Sequence, residues 1–284
     1  MVLRSSVRVL GRDDVEAALE LCERDLVANL FVASRLYGVW TDPRGAGGEV
    51  WGWFRGSRLE AVCWSGANLV PAQAGPEAIE SFAARARRQG RQCSSIVGPA
   101  EAVLGMWRHL EPAWGPAREV RAEQPLMMLD SAPLIPGDPA VRRSRPEEIG
   151  LVLPACVAMF TEEVGYSPVT ADGGRLYQAQ VAGLVAAGRS FVRIDRGPTG
   201  DEVVFKAELG SVTTRAVQIQ GVWVSPAHRG RGLAAPGVAS VAEIVQREIA
   251  PIVSLYVNDF NTRAIRAYLR VGFRTVGAFA TVLF

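Results

Sequence analysis

The chain has 284 residues, enough for one large domain or two domains of ordinary size. Its net charge of +2 gives no general attraction for nucleic acid, and its longest apolar stretches are too short to cross a bilayer. Four widely spaced cysteines and two histidines suit no zinc site, and the N-terminus lacks the apolar run of a signal peptide. We therefore expect a cytoplasmic protein that binds no metal, DNA or membrane.

The predicted elements occur twice in the same order. Aligning Val7 with Val141 without gaps places Cys22 opposite Cys156, and each copy begins with a strand, an acidic turn and an amphipathic helix. The later elements are a hairpin, a helix, a strand and a helix, at 50–64, 77–88, 94–97 and 101–110 in the first copy and at 191–209, 230–248, 253–257 and 262–270 in the second. The Pro- and Gly-rich segment 130–139 separates them. We predict two domains, 1–133 and 140–284.

The most informative segment follows a predicted strand in the second copy. The apolar run Val217–Val224 stops at Ser225, the turn Arg229–Gly232 follows, and the small residues of Leu233–Ile249 predict a helix. A helix N-terminus offers unpaired N–H groups and the positive end of a dipole, while glycine lets an anion approach the main chain. This arrangement predicts a pyrophosphate site. The alternative is a basic surface turn that only starts a helix.

A second pattern lies near the C-terminus. Val253–Val257 predicts a strand, and Asn261 ends the following turn as a helix cap. Thr262–Val271 predicts a short helix that Gly272 closes, and a final strand runs from 273 to 284.

Both patterns carry a family resemblance. Arg-x-x-Gly-x-Ala at 229–234 resembles the acyl-CoA pyrophosphate loop of the GNAT superfamily of N-acetyltransferases. Leu255-x-Val257-x-x-x-Asn261-x-x-Ala264-x-x-x-Tyr268-x-x-x-Gly272-Phe273 resembles the C-terminal part of the same superfamily, in the right order and at the right distance. A GxGxxG or Walker loop does not fit, because the third glycine and a Gly-Lys-Ser/Thr are missing. The resemblance covers about 140–284.

The resemblance implies fold and cofactor. It implies an α/β (α+β) chain with two GNAT-like domains, each a mixed, mostly antiparallel central sheet flanked by helices. It also implies acetyl-CoA as co-substrate, with the thioester entering where the strand 216–224 splays from the strand 253–257. The residues expected at the cofactor are Val222, Trp223, Val224, Arg229, Gly230, Arg231, Gly232, Leu233, Ala234, Asn258, Asn261 and Tyr268.

The catalytic candidates are a tyrosine and a glutamate. The resemblance places Tyr268 where it would protonate the leaving thiolate, although a core aromatic residue at helical spacing is the alternative. Members of the superfamily often carry a carboxylate on the central strands as the base, but the strand 216–224 offers only Gln218 and Gln220. Glu208 on the preceding strand is the substitute. It shares a strand face with Lys206, so an exposed ion pair is the alternative.

The acceptor candidates lie after the first helix of the second copy. Glu162, Glu163 and Tyr166 fall in the segment 160–168, which resembles the acceptor-lining loop of the superfamily. An acidic pair suits a cationic amine, and a solvated helix end explains it equally well.

The first copy lacks both signatures. Its segment 72–77, Ala-Gln-Ala-Gly-Pro-Glu, has one glycine, no arginine and an acidic residue where a phosphate would lie. We therefore predict a degenerate copy that does not bind the cofactor. For the whole chain we expect a bacterial N-acetyltransferase, monomeric or homodimeric, that acts on the primary amine of a small molecule or peptide. The alternatives are an acyl-CoA-binding regulatory protein without turnover, or transfer to a protein or tRNA-borne acceptor.

Overall fold

The computed structural model describes residues 5–41, 47–169, 173–198 and 200–284. The chain forms two compact units. Unit 1 comprises Met1–Met127, Tyr256–Phe260 and Thr275–Phe284, and unit 2 comprises Met128–Leu255 and Asn261–Arg274. Residues 1–4, which bear on the expected lack of a signal peptide, and Thr199 of a predicted turn lie outside the described residues. Compact units reflect contacts rather than repeated segments, so the division into 1–133 and 140–284 stays a prediction.

Strands and helices alternate along the chain. They are β1 (Ser5–Val9), α1 (Val15–Glu23), α2 (Leu30–Thr41), β2 (Gly48–Arg55), β3 (Arg58–Gly66), β4 (Asn68–Ala72), α3 (Pro76–Gln89), β5 (Ser95–Pro99), α4 (Ala100–Trp114), β6 (Glu119–Leu129), β7 (Arg142–Arg143), α5 (Ile149–Val164), α6 (Arg175–Ala186), β8 (Ser190–Gly197), β9 (Gly200–Val212), β10 (Ala216–Val224), α7 (Ala234–Glu248), β11 (Ile252–Tyr256), α8 (Thr262–Val271) and β12 (Arg274–Leu283). No helix among the described residues has the length and apolarity to cross a membrane.

The sheet of unit 1 has the strand order β1-β2-β3-β4-β5-β12-β6. β1 to β4 pair antiparallel in sequence, β4 and β5 run parallel, and β12 joins β5 antiparallel. The last strand of the chain therefore completes the sheet of unit 1, between β5 and β6.

Alternation along β2 fills both faces of this sheet. Trp51 packs against Phe82 of α3, with ring centroids 6.5 Å apart, and belongs to a buried cluster with α4. Val50 points to the opposite face, where it packs in a second cluster with Leu21 of α1. Successive side chains of a strand point to opposite faces, so an apolar strand such as β2 needs helices on both sides.

The sheet of unit 2 has the order β11-β10-β9-β8-β7. β7 to β10 pair antiparallel in sequence, and β10 and β11 run parallel. Each unit thus has an antiparallel series that ends in one parallel pair, with helices alongside. The predicted fold class is confirmed.

Packing in unit 2 holds α7 close to the sheet. An apolar cluster joins α5 and α6 to β8 and β9 through Val152, Val181, Val192 and Val203. On α7, a β-carbon built on Gly237 would lie 2.6 Å from the Phe205 ring of β9. A larger residue would push the helix away, so this glycine fixes where the first turn of α7 lies.

The predicted elements of the second copy match closely. The α8 bounds agree with the prediction; Asn261 Oδ1 accepts a hydrogen bond from Ala264 N at 3.2 Å, and Gly272 closes the helix at φ +112°. The sequence patterns did not predict α2, β4, α6 or β6. These elements lack a distinctive cap or period and depend on tertiary packing.

Candidate active site

The site is built where β10 parts from β11. Their parallel pairing covers Ala216–Gln218 and Ile252–Ser254, while β10 continues to Val224. On its other edge, the register with β9 shifts between Gln220 and Trp223. Gly221 in this bulge has φ +57°, a left-handed conformation that favours glycine. The predicted splay is present, and it leaves one edge of the second half of β10 without its parallel neighbour.

The loop between β10 and α7 has the form of an anion cradle. Gly230 and Gly232 have φ values of +77° and +75°, so the turn depends on both glycines. A β-carbon at either position would have nothing within 4 Å, which means that these faces of the loop are open. α7 then begins at Ala234. Pro236, in the first turn of α7, has no N–H group. The backbone N–H donors that are free at this helix start therefore belong to the residues that precede Pro236.

Arg229 links the loop to α5. Its Nε donates to the Val224 carbonyl at 3.0 Å, and its Nη2 donates to Glu162 Oε2 at 2.5 Å. Trp223 Nε1 donates to Glu162 Oε1 at 3.2 Å. Glu162, which the sequence predicts to bind the acceptor, therefore binds Arg229, which the sequence predicts to bind the pyrophosphate. This pair could not be predicted from local sequence patterns, because its members are 67 positions apart. Arg231 is exposed.

Tyr268 lies on α8 and is buried, with its ring 6.1 Å from that of Phe273. Burial, and secondarily the negative charge of Glu163, raise the pKa of Tyr268 above its ordinary value. The phenol therefore stays protonated at neutral pH and can serve as a proton donor. A core aromatic residue without a catalytic role would be buried in the same way. The geometry is therefore compatible with a proton donor and with a core residue.

Glu208 does not form an exposed ion pair. Lys206 Nζ lies 2.7 Å from Glu208 Oε1, but Lys206 is fully buried and Glu208 is only 5% exposed. The ion pair of the alternative is present, but it is not exposed, because β9 is an inner strand, between β8 and β10, and α5 packs on it. Cys156 of α5 also donates from Sγ to Glu208 Oε1, at 3.3 Å.

The structure shows the local contacts of three other predicted site residues. Asn258 belongs to unit 1, where its Oδ1 accepts from Gln124 Nε2 at 2.8 Å. Asn261 caps α8. Tyr166 is half-exposed and packs edge-on against Phe160, with ring centroids 5.6 Å apart. The cofactor and acceptor roles of these residues stay predictions.

The corresponding loop of unit 1 has different chemistry. Pro76 is the first residue of α3, and Glu77 follows in the first turn. Arg55 Nη2 lies 3.1 Å from Glu77 Oε2. An acidic side chain of the chain itself thus stands at the positive end of this helix, as the sequence led us to expect. Among the described residues of both units, no three His, Cys, Asp or Glu side chains are grouped as metal ligands.

Two family models match the chain. Residues 170–273 match the acetyltransferase (GNAT) family, and residues 48–152 match a domain of unknown function, DUF4081. Streptothricin acetyltransferase of Streptomyces lavendulae is 32% identical over 106 residues, which cover 37% of this chain and 55% of the relative. The chain thus spans about half the length of this curated relative.

Similar solved structures extend over nearly the whole chain. A Drosophila protein has a TM-score of 0.68 at 16% identity, with 98% of each chain covered. A GCN5-related N-acetyltransferase from Sphaerobacter thermophilus gives 0.57 at 18% identity, over 98% of this chain and 95% of the other. A tandem GNAT protein from the clavulanic acid biosynthesis pathway gives 0.54 at 15% identity, over 99% and 98%. At these identities the likeness establishes the fold, and that fold is the predicted tandem arrangement.

Proposed function

We propose that this chain, which carries a GNAT-family acetyltransferase domain behind a DUF4081 region, is an enzyme that transfers an acetyl group from acetyl-CoA to a primary amine. The observation that carries the proposal is the open loop at Gly230 and Gly232, which leads from the parted edge of β10 into the start of α7. Backbone donors there suit a pyrophosphate, and the free edge of β10 suits the amides of an extended pantetheine arm.

The cofactor residues have distinct roles in this proposal. N–H groups from Arg229 to Ala234 bind the pyrophosphate, and the backbone of Val222, Trp223 and Val224 pairs with the pantetheine. Arg231 is exposed on the loop and supplies positive charge. Asn261, which follows β11 and caps α8, bonds the pantetheine or the turn after β11.

Transfer needs one proton donor and loss of one amine proton. The amine nitrogen attacks the thioester carbonyl, the C–S bond breaks, and Tyr268 gives its proton to the departing thiolate. The phenol is protonated at neutral pH, but its raised pKa makes it a weaker acid, so the transfer requires the thiolate to lie within hydrogen-bond reach of the hydroxyl. Glu208 is the sequence-based candidate for the base. Its protonation would leave the Lys206 ammonium buried without a counter-charge, so a water chain that leads the proton to solvent is the more favourable route.

Charge near the acceptor segment favours a cationic amine. Glu162 is bound to Arg229, and Glu163 lies near enough to Tyr268 to affect its pKa. When a pyrophosphate attracts Arg229, the Glu162 carboxylate is free to bind a second positive charge of the acceptor. Tyr166, half-exposed on the same segment, offers an apolar face with a hydroxyl. The relative that is named for streptothricin makes that compound a reasonable first acceptor to test.

Thiol release from acetyl-CoA tests the proposal. The amines are streptothricin, spermidine, lysine and a monoamine of similar size, each with the wild type and with Glu162→Gln. We expect turnover with at least one polycationic amine, and a KM for it that rises several-fold in Glu162→Gln while the monoamine KM is unchanged. If the protein binds acetyl-CoA but acetylates none of these amines, the proposal that it is an N-acetyltransferase is refuted.

A non-catalytic acyl-CoA-binding protein is the second candidate. The observation that favours it is that the only carboxylate on the central strands beside the bulge is engaged by Lys206 and Cys156 among the described residues. A chain with this second function would bind acetyl-CoA as tightly as the proposed enzyme, but it would release no thiol with any amine.

A further inference from the structure

The only lysine of the chain is fully buried in unit 2. Burying an ammonium group is costly unless it is paired and hydrogen-bonded, so this position requires an explanation. Lys206 has two partners: it lies 2.7 Å from Glu208 Oε1, and its Nζ donates to the Gly221 carbonyl at 3.2 Å. The second bond reaches the bulge of β10.

The bulge is a place where the backbone ladder is incomplete. Gln220 lies opposite Glu208 and Trp223 lies opposite Lys206, so β10 carries one more residue than β9 between these pairs. The parallel pairing with β11 ends earlier, at Gln218. The bond from Lys206 therefore supports a segment that regular strand pairing leaves partly unsupported.

The contacts around Gly221 show how tightly the cluster is assembled. A β-carbon there would lie 3.1 Å from Met159 Cε, 3.2 Å from Lys206 Nζ and 3.3 Å from Glu208 Oε2. Cys156 Sγ completes the surroundings of the carboxylate, at 3.3 Å from Oε1. The ammonium of Lys206, the carboxylate of Glu208 and the bulge thus pack together against α5.

We propose that Lys206 is a positioning residue for acyl transfer: with Glu208 as its counter-ion, it holds the backbone of Gly221–Trp223 in the conformation that receives the thioester. This inference rests on the proposed function, because the same backbone is expected to face the pantetheine. Glu208 then acts through Lys206 and not as a base on the amine. A small displacement of the backbone beside a reacting carbonyl is enough to reduce turnover strongly.

The test uses Lys206→Met and the double variant Lys206→Met/Glu208→Gln in the full chain. The single variant leaves a carboxylate buried without its partner and serves only to measure that cost in stability. The double variant removes both charges at nearly constant volume, so it avoids this penalty. Unfolding in urea shows whether the double variant is folded at the assay temperature. If it is not, the measurements are made at a lower temperature at which it is folded.

Hydrogen exchange provides a readout that does not depend on activity. In the double variant we expect the amides of 219–224 to exchange at least tenfold faster than in the wild type, while the amides of β8 keep their rate. Unchanged exchange in 219–224 would overturn the positioning role, whether or not the protein is an enzyme.

Turnover provides the second readout. We expect kcat to fall by about 10- to 100-fold in the double variant. Binding of CoA without an acyl group should change little, because its phosphates contact the loop 229–234. A kcat within twofold of the wild type would overturn the proposal. If the wild type releases no thiol but the double variant still exchanges faster in 219–224, the proposed function is refuted. The role of Lys206 in holding the bulge would then still stand.

Discussion

The loop between β10 and α7 in unit 2 and the loop between β4 and α3 in unit 1 occupy corresponding places in two copies of one fold. In unit 2, two glycines at positive φ leave an open turn before the helix. In unit 1, Gly75 has an ordinary φ of −76°, Pro76 starts the helix, and Glu77 is paired with Arg55. A few residues at a helix start therefore decide whether the positive end of the dipole is available to a ligand or is occupied by the chain's own carboxylate.

Matched substitutions in the two loops give the largest expected effect. Gly232→Asp places a side chain and a negative charge at φ +75°, and we expect the Kd for acetyl-CoA to rise at least about 100-fold, or about 2.7 kcal/mol. Gly75→Asp is the control: its φ is compatible with any residue, and aspartate is a favourable helix cap. Titration calorimetry should show one site per chain in the wild type and in Gly75→Asp. Equal loss in both variants, or two sites in the wild type, would contradict the comparison.

The helices that follow the parallel pair also differ. α8 carries Tyr268, whereas α4, its counterpart in unit 1, contains no tyrosine. We expect Tyr268→Phe to lower kcat about 100-fold with an unchanged Kd for acetyl-CoA, because only the proton donor is lost. Tyr177→Phe is the control for loss of a partly buried hydroxyl, since its OH donates to the Cys156 carbonyl at 2.9 Å.

The pH profile sharpens the Tyr268 assignment. Because the pKa of Tyr268 is raised, its deprotonation should not limit kcat between pH 7 and about 9. Full activity of Tyr268→Phe across that range would remove the acid role.

Cys22 and Cys156, aligned by the repeat, are expected to affect stability only at alkaline pH. Burial raises the pKa of each thiol to about 12. The folded state binds these protons more tightly than the unfolded chain, so their contribution is complete below about pH 8 and is lost as the pH rises from about 9 to 12. Each group adds up to about 1.4 kcal/mol of lost stability per pH unit in that window.

Urea unfolding between pH 7 and 11 measures this dependence. Cys22→Ala and Cys156→Ala should each make the alkaline loss of stability shallower by the contribution of one thiol. Their effects should also be similar, although Cys22 has apolar neighbours and Cys156 contacts Glu208. An unchanged pH dependence in either variant would show that its thiol titrates normally in the folded protein.

Local signals in the sequence predicted the parts of the site that local physics determines. The cap at Asn261, the closing Gly272 and the two loop glycines each depend on neighbouring backbone, and all were found from short patterns. The pairs Lys206–Gly221 and Arg229–Glu162 depend on which strands and helices become neighbours. The sequence placed Lys206 and Glu208 on one strand face but could not show that β9 would be covered, so the alternative of an ion pair assumed an exposure that the structure does not have.

The position of β12 has a consequence for biosynthesis. The ribosome makes residues 1–127 first, yet the sheet they form lacks the strand between β5 and β6 until Thr275–Phe284 has emerged. Unit 1 therefore cannot complete its fold before β12 has been made. Until then, β5 has an open edge with a free ladder of N–H and C=O groups, which other nascent chains could pair with. Loss of residues 275–284 would leave that edge exposed permanently, so a small deletion in one segment damages a unit built mostly from a distant segment.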